Sequence, residues 1–500
     1  MSNIDFSIPQ RQSPKGIIFF LALSLKKLFK AFWPIFIIIL LKSGSIHNQK
    51  QLIFYAVVIL LLLIFIANTI LSYLNFYFYI KDDEFVVEKG YLKKIKMSIP
   101  LDRIQTMNTQ QNFIQQFLNV VALEIDTAGT SHQELKFHAL TKETAEALQF
   151  KLSAFAASHT KTEHTVISDE HKIEIESKSI IQLNTTDLIK VGISENHLKS
   201  MLLIYLFVNG IYQQLHDLFK TTLDAASDQA GGFFEHSGVL LITLIAIFFL
   251  MMLLLFSILL VILQYFDLNF SRQQGAFMLK SGLLNKKDIV IPYSKIQIIS
   301  WETNPIRKWM NFVSVHITQA SNTHVKKKQA IIIPGCNNDH LQKIQNEIFP
   351  PNDSIEWTRH ISHPMYFIRL WIFRIFLVTV PLLLFSYKDW EIYVVIGIWI
   401  VISAFLSYLS YKKRYLKISA QILHTAKGTI EQEFSQFYNY KLQTIQFKQN
   451  FFQRRRKLAS IAIFISGGKR IRIPYLQEDV ASALYNYLLY CTESSSKKWM

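Results

Sequence analysis

Two cysteines in 500 residues, Cys336 and Cys491, are too few for a disulfide framework, and they share no CxxC spacing that would hold zinc. Charge is scarce as well. Only 18% of the residues are charged, against about 25% in a soluble domain. Acids are the scarcer sign, 36 Asp and Glu against 53 Lys and Arg, so the chain carries +17 and calls for a negatively charged partner, anionic lipid or nucleic acid. The signatures of common catalytic sites are missing: there is no Walker loop, GxGxxG, HExxH or GxSxG. Nothing in the sequence therefore points to an enzyme, a cofactor or a catalytic metal. The polar N-terminus, with no small-residue cleavage site after the first apolar stretch, gives no sign of a signal peptide.

What is abundant is apolar surface, at 50% of residues and a mean hydropathy of +0.21. It lies in long runs. Crossing a bilayer takes about 20 apolar residues in a helix, and 52–74, 239–266, 365–385 and 392–411 meet that length. Two weaker runs, 28–41 with Lys30 and Pro34 and 198–215 with Lys199, Asn209 and Gly210, each stand just before a strong one. This pairing predicts three hairpins and six spans, with 28–41 as an interfacial helix in the alternative. Six crossings leave both termini and all the long polar segments on one side. The short hairpin loops carry four bases and five acids, so the rest of the chain holds +18. Positive residues stay in the cytoplasm, which places the polar segments at the inner face of a plasma membrane.

Three polar segments follow the three hairpins and align without gaps over their central part. A glycine stands at Gly90, Gly282 and Gly428, and thirteen residues later a base at Arg103, Lys295 and Lys441. An aliphatic residue follows at Ile104, Ile296 and Leu442, then Gln105, Gln297 and Gln443, and seven residues further Asn112, Asn304 and Asn450. The glycine joins two alternating stretches and reads as the positive-φ position of a hairpin turn. Ile99-Pro100 and Ile291-Pro292 close the next strand; the third copy has Phe437-Tyr438, which predicts a different edge there. Further strands are expected at 123–126, 315–318 and 461–464, and at 331–333 and 471–473. Each unit ends in a helix, at 141–156, 338–348 and 477–490, with Asn338 or Asp339 as the cap of the second.

The predicted organisation is an N-terminal segment 1–27, hairpin 28–74, domain 75–160, linker 161–197, hairpin 198–266, domain 267–350, linker 351–364, hairpin 365–411, domain 412–492 and tail 493–500. The fold class is α+β and polytopic, three domains packed beneath a six-helix bundle. The glycine turn, the Ile-Pro-x-x-(Lys/Arg)-Ile-Gln core and the terminal helix resemble the bacterial Pleckstrin-homology (PH-like) domain of the YdbS/YdbT-like membrane proteins. That resemblance covers nearly the whole chain. It implies two packed sheets with a capping helix in each domain, and it implies no activity; phosphoinositide binding does not follow from the fold name.

The candidate binding residues are basic. Arg454, Arg455, Arg456 and Lys457 follow the aromatic pair Phe451-Phe452, and Lys93, Lys94 and Lys96 follow the first glycine turn. Lys286-Lys287 and Lys326–Lys328 are further clusters. Near a bilayer each base attracts anionic headgroups by roughly 1 kcal/mol; the competing reading is a solvated loop. They sit in no recognised nucleic-acid fold, so nucleic acid is not the expected partner. For the base-aliphatic-Gln triplet and the asparagine the structural reading is favoured, with loops tied by hydrogen bonds, over a ligand site. His360 and His363 form an HxxH before a span, read as interfacial residues. Arg369 and Arg374 fall inside the fifth span, where charge is costly and marks function. The reading is a membrane scaffold whose basic domains bind anionic lipid or a partner protein, with envelope maintenance or stress tolerance suggested by location and charge alone. A lipid or small-solute transporter subunit, and a partner subunit for a smaller single-hairpin relative, are the alternatives.

Overall fold

The computed structural model describes residues 5–25, 49–91, 93–127, 135–159, 178–195, 239–273, 275–320, 330–351, 356–386, 390–465 and 469–495. The weak runs 28–41 and 198–215 and the basic stretch Lys326–Lys328 lie outside the described residues. The chain forms two compact units, Met1–Lys178 with Ser271–Pro292, and Ser179–Phe270 with Tyr293–Met500.

The first unit opens with β1 (Gln10–Arg11) and two apolar helices, α1 (Gly16–Leu25) and α2 (Gln49–Leu74). The hairpin strands β2 (Tyr77–Lys81), β3 (Glu84–Lys89) and β4 (Ile95–Pro100) follow, then a 3-10 turn (Leu101–Arg103) and β5 (Ile104–Gln111). A short helix α3 (Phe113–Phe117), strands β6 (Val120–Thr127) and β7 (Leu135–Thr141), and helix α4 (Lys142–His159) complete the first repeat. Val121, Leu123 and Ile125 of β6 and Leu135, Phe137 and Leu140 of β7 share one core with Leu148 and Leu152 of α4 and with Phe78 and Phe85. The aromatic rings touch edge to face, Phe137 lying 5.1 Å from Phe78 and 5.8 Å from Phe85.

The same order recurs twice. After β8 (Lys178–Gln182), helix α5 (Thr185–Ser194) and the long apolar α6 (Val239–Tyr265) come β9 (Asn269–Gln273), β10 (Ala276–Ser281), β11 (Lys286–Pro292), a 3-10 turn (Tyr293–Lys295) and β12 (Ile296–Thr303). Then follow α7 (Pro305–Trp309), β13 (Val313–Gln319), β14 (Ala330–Cys336) and α8 (Asn338–Ile348). The third repeat has β15 (Thr358–Ile361), apolar α9 (Met365–Ser386) and α10 (Trp390–Lys412), β16 (Tyr415–Ile418), β17 (Ile422–Gly428), β18 (Gln432–Tyr438), a 3-10 turn (Asn439–Lys441), β19 (Leu442–Lys448), α11 (Phe451–Arg455), β20 (Leu458–Ile465), β21 (Lys469–Gln477) and α12 (Glu478–Glu493). Among the described residues three helices are long and apolar enough to cross a membrane: Ile247–Tyr265 within α6, Met365–Leu384 within α9, and α10.

Several expectations need correction. The stretches read as linkers and N-terminal segment contribute structure. In the first and third repeats a strand before the hairpin pairs with the first strand after it, β1 with β2 and β15 with β16. In the second repeat Leu183, just after β8, donates its N–H to the carbonyl of Leu268 at 3.1 Å. An apolar helical stretch is thus inserted between two neighbouring strands of one sheet. The third repeat's edge does not differ for want of Ile-Pro: Tyr438 adopts φ −77°, ψ 143°, close to the φ −55°, ψ 134° of Pro100, and leads into the same 3-10 turn. The cap of α8 is Asn337, whose side chain accepts the His340 N–H, and not Asn338 or Asp339.

The sheets are shared between consecutive repeats. In the first unit the strand order runs β7-β6-β5-β11-β10-β9, so the second sheet of repeat one continues into the first sheet of repeat two. In the second unit it runs β14-β13-β12-β18-β17-β16-β15, joining repeats two and three in the same way. The terminal sheets, β1-β2-β3-β4 and β19-β20-β21, are shorter.

Candidate membrane-interface site

The repeat motif is largely architectural. Gly90, Gly282 and Gly428 hold φ of 95°, 104° and 139°, in the region that L side chains rarely adopt. Gln105, Gln297 and Gln443 occupy the same place, the extra residue of a β-bulge, since the pairing register slips between 104 and 106, 296 and 298, and 442 and 444. In the second repeat both polar members of the triplet, Lys295 and Gln297, are buried. Asn112, Asn304 and Asn450 are N-caps of α3, α7 and α11, their side chains accepting the N–H of Gln115, Arg307 and Gln453.

The third base of the motif has an electrostatic consequence. Lys441 is buried and its ammonium donates to the carbonyls of Ile296 at 2.6 Å and Ser294 at 3.3 Å. Burial pushes its pKa down to about 8 from 10.5. An unfolded chain then binds a proton that the folded one has released, so stability rises as pH climbs from about 8 toward 10 and is flat below that window. Thermal unfolding of the detergent-solubilised protein is expected to show this rise, and K441M to flatten it; a K441M profile as steep as the wild type would assign the slope to other groups.

The capped short helices share a feature that stood out in the sequence only at Phe451-Phe452. Each presents large apolar side chains to solvent: Phe113 at 63% and Phe117 at 83% exposure, Ile306 at 42% and Trp309 at 80%, Phe451 at 74% and Phe452 at 75%. The signal was available as apolar residues within five positions of each motif asparagine. In the second and third repeats the short helix sits beside the end of an apolar helix, and in the first it is linked through one side chain to the middle of α1. Gln115 of α3 donates to the carbonyl of His138, whose ring stacks edge-on against Phe20 of α1. Past α7, Met310 and Phe312 pack with Val261 and Tyr265 at the end of α6. Past α11, Arg456 rests against Met365, the first residue of α9. Exposed apolar rings beside the end of an apolar helix belong at the bilayer interface.

Around the start of α9 and the end of α10 the structure gathers cations. Arg369 donates to the Tyr475 hydroxyl at 2.9 Å and lies over its ring. Arg414 lies over the Tyr366 ring, 5.2 Å from its centroid, and donates to the carbonyl of Arg472. Lys413 donates to the Thr429 carbonyl at 2.7 Å. Deeper in α9, Arg374 is held by hydroxyls, Ser407 at 3.1 Å, Ser410 at 3.2 Å and Thr429 at 3.4 Å. Among the described residues no carboxylate forms an ion pair with Arg369, Arg374, Lys413, Arg414 or Arg472. Arg472 has its pKa lowered, first by burial and then by the neighbouring charges of Arg369 and Arg470. The exposed cluster Arg454, Arg455, Arg456 and Lys457 adjoins this collar through the Arg456–Met365 contact. Arg472 was not among the residues singled out from sequence, because only folding brings β21 to the helix foot.

The other candidates are placed elsewhere. Lys93, Lys94 and Lys96 stand exposed at the β3–β4 hairpin, where Lys96 pairs with Glu88 at 3.1 Å. Lys286 and Lys287 lie at the start of β11, inside the shared sheet. His360 belongs to β15, whereas His363 accepts the Met365 N–H through Nδ1 at the start of α9, so the HxxH is not one helical turn. Among the described residues no group of His, Cys, Asp or Glu is arranged for a metal.

A repeated β-rich domain with a terminal helix, spaced by apolar helices, is also what comparison with known proteins finds. The bacterial PH domain family matches three times, at residues 22–156, 231–351 and 372–491. The chain belongs to the bacterial PH domain family. It is also similar to the transmembrane protein YdbT of Bacillus subtilis (strain 168), 25% identical over 421 residues that cover 81% of this chain and 83% of that protein. The family matches end in α4, just after α8 and in α12, so each takes in a β-rich domain together with apolar helix before it. This bacterial PH protein is membrane-associated, with three tandem repeats.

Proposed function

We propose that this bacterial PH protein is a non-enzymatic membrane scaffold, spanning an inner membrane with three hairpins and holding anionic phospholipid against its cytoplasmic domains. The observation that carries the reading is the collar at the foot of α9 and α10, where Arg369, Arg374, Lys413, Arg414 and Arg472 converge with no ion-paired carboxylate among the described residues. A lipid phosphate supplies the missing anion, and Arg presents it a planar fork of donors. Tyr366 and Tyr475 hold two of the guanidinium groups by cation–π contact at the level where aromatic residues favour the interface. The exposed rings of α3, α7 and α11 add apolar anchorage beside each foot, so that three modest contacts act together.

The test is native mass spectrometry of the full-length protein released gently from its own membrane. Wild type is expected to retain anionic phospholipid. The R454A/R455A/R456A variant removes three exposed bases next to the collar, a loss of about 3 kcal/mol at roughly 1 kcal/mol per base, or about a hundredfold in affinity. Equal retention of neutral and anionic lipid by both proteins would remove the electrostatic reading. A stoichiometric protein partner in place of lipid would make the chain half of a membrane complex.

A further inference from the structure

The two shared sheets are built by one rule. At the first junction β5 pairs antiparallel with β11, Gln111 opposite Lys286 and Thr109 opposite Asp288. At the second, β12 pairs with β18, Thr303 opposite Gln432 and Trp301 opposite Phe434. Counted from the repeat glycines, these are the same positions, so both junctions share one register. The rule leaves one strand of each kind over. Among the described residues, the outer edge of β19, the counterpart of β5 and β12, pairs with nothing, and neither does the outer edge of β4, the counterpart of β11 and β18.

Those two edges carry the marks of a missing neighbour. Trp301, covered at its junction, is 9% exposed, whereas Phe447 at the matching place in β19 is 37% exposed. At the place where Glu433 is half-buried in the second junction, Ile95 of β4 is 41% exposed. An unpaired edge displays a row of N–H and C=O groups that accept a further strand. Charge permits the match. In the shared register Phe447 falls opposite Lys96, a ring facing an ammonium, and Gln449 opposite Lys94; Lys448 falls opposite Ile95 on the other face. Lysines already sit in such a junction, Lys286 and Lys287 opposite Gln111 and Gln110.

We infer that β19 of one copy of this protein pairs with β4 of a second copy, continuing the shared-sheet pattern from molecule to molecule. The contact is heterologous, so it builds a closed ring or an open row along the membrane. The occupant is a second copy because the chain itself supplies both unfilled halves of a junction it forms twice internally. Both copies lie in the same membrane with the same polarity, as the repeats within one chain do. This inference does not depend on lipid binding.

Two differently tagged full-length copies, each with Cys491→Ser, would carry Phe447→Cys in one and Lys96→Cys in the other, and in a second pair Lys448→Cys and Ile95→Cys. Cys336 is buried and stays. Mild oxidation in native membranes is expected to give a tag-to-tag disulfide with at least one of the two opposed pairs, and none with Phe447→Cys against Lys89→Cys. Native mass spectrometry of wild type should show multiples of 58.3 kDa, reduced to the single mass by Phe447→Asp with its unfolding temperature unchanged. Absence of both disulfides, equal crosslinking at the mismatched position, a single-copy wild type, or capture of a different protein by Phe447→Cys would each overturn it.

Discussion

Phe137→Ala is expected to destabilise the first repeat by about 3–5 kcal/mol, the range for emptying a buried aromatic site. Phe137 has no solvent exposure and is ringed by Phe76, Phe78 and Phe85 at 5.7, 5.1 and 5.8 Å between centroids. Truncation removes both the burial and the edge-to-face contacts, and rings held from three sides collapse poorly into the space. The check is thermal and denaturant unfolding of the purified protein, with Phe117→Ala as comparison. Phe117 is 83% exposed, and its loss should change stability by no more than about 0.5 kcal/mol. Equal effects of the two substitutions would mean that the aromatic cluster is not the core of this domain.

The second large effect is expected at Gly428. It holds φ +139°, and a Cβ there would meet the carbonyl oxygen of Glu431 at 2.0 Å and the Cα of Gln432 at 2.8 Å. Both obstacles are backbone, so the turn itself must open. Strain and overpacking together cost Gly428→Ala about 2–5 kcal/mol. The damage should travel, because β18, which starts at Gln432, pairs with β12 of the preceding repeat. Amide hydrogen exchange should therefore quicken in β12 and β13 as well as in β17 and β18. Loss of protection confined to the turn would show that the shared sheet does not couple the two repeats. Gly90 is the internal comparison: its Cβ would meet Lys93 O at 2.3 Å, but among the described residues of the same chain β4 has no further strand beyond it.

These two sites illustrate what could be read in advance. Gly428 announced itself by repetition, since only glycine meets the φ that a tight turn requires, and that demand acts on one residue whatever its distant surroundings. The same locality made the strands and terminal helices readable, from alternation around Phe85, Val87, Phe277 and Leu279 and from the runs before each domain. Phe137 was not recognisable as a centre, because its partners Phe76, Phe78 and Phe85 come from the start of β2 and from β3, far away in the chain and joined to it only by packing.

The candidate site divides in the same way. Arg454–Lys457 beside Phe451-Phe452 stood out as charge next to aromatics, and Arg374 stood out as charge inside an apolar run. The collar did not, because Arg414 and Arg472 become neighbours of Arg369 only when β21 returns to the foot of α9. The motif asparagines looked polar and repeated, but their work as caps required the backbone to turn there.

The sequence by itself determined three repeats, the apolar helices between them, the glycine turns and the excess of positive charge, since each rests on residue type and spacing along a local stretch. Only the tertiary structure decided that a strand before each hairpin joins the sheet after it, and that β5 and β12 take their neighbours from the following repeat. Strand pairing is made by backbone N–H and C=O groups that every residue but proline carries alike, so the choice of partner leaves little trace in side chains.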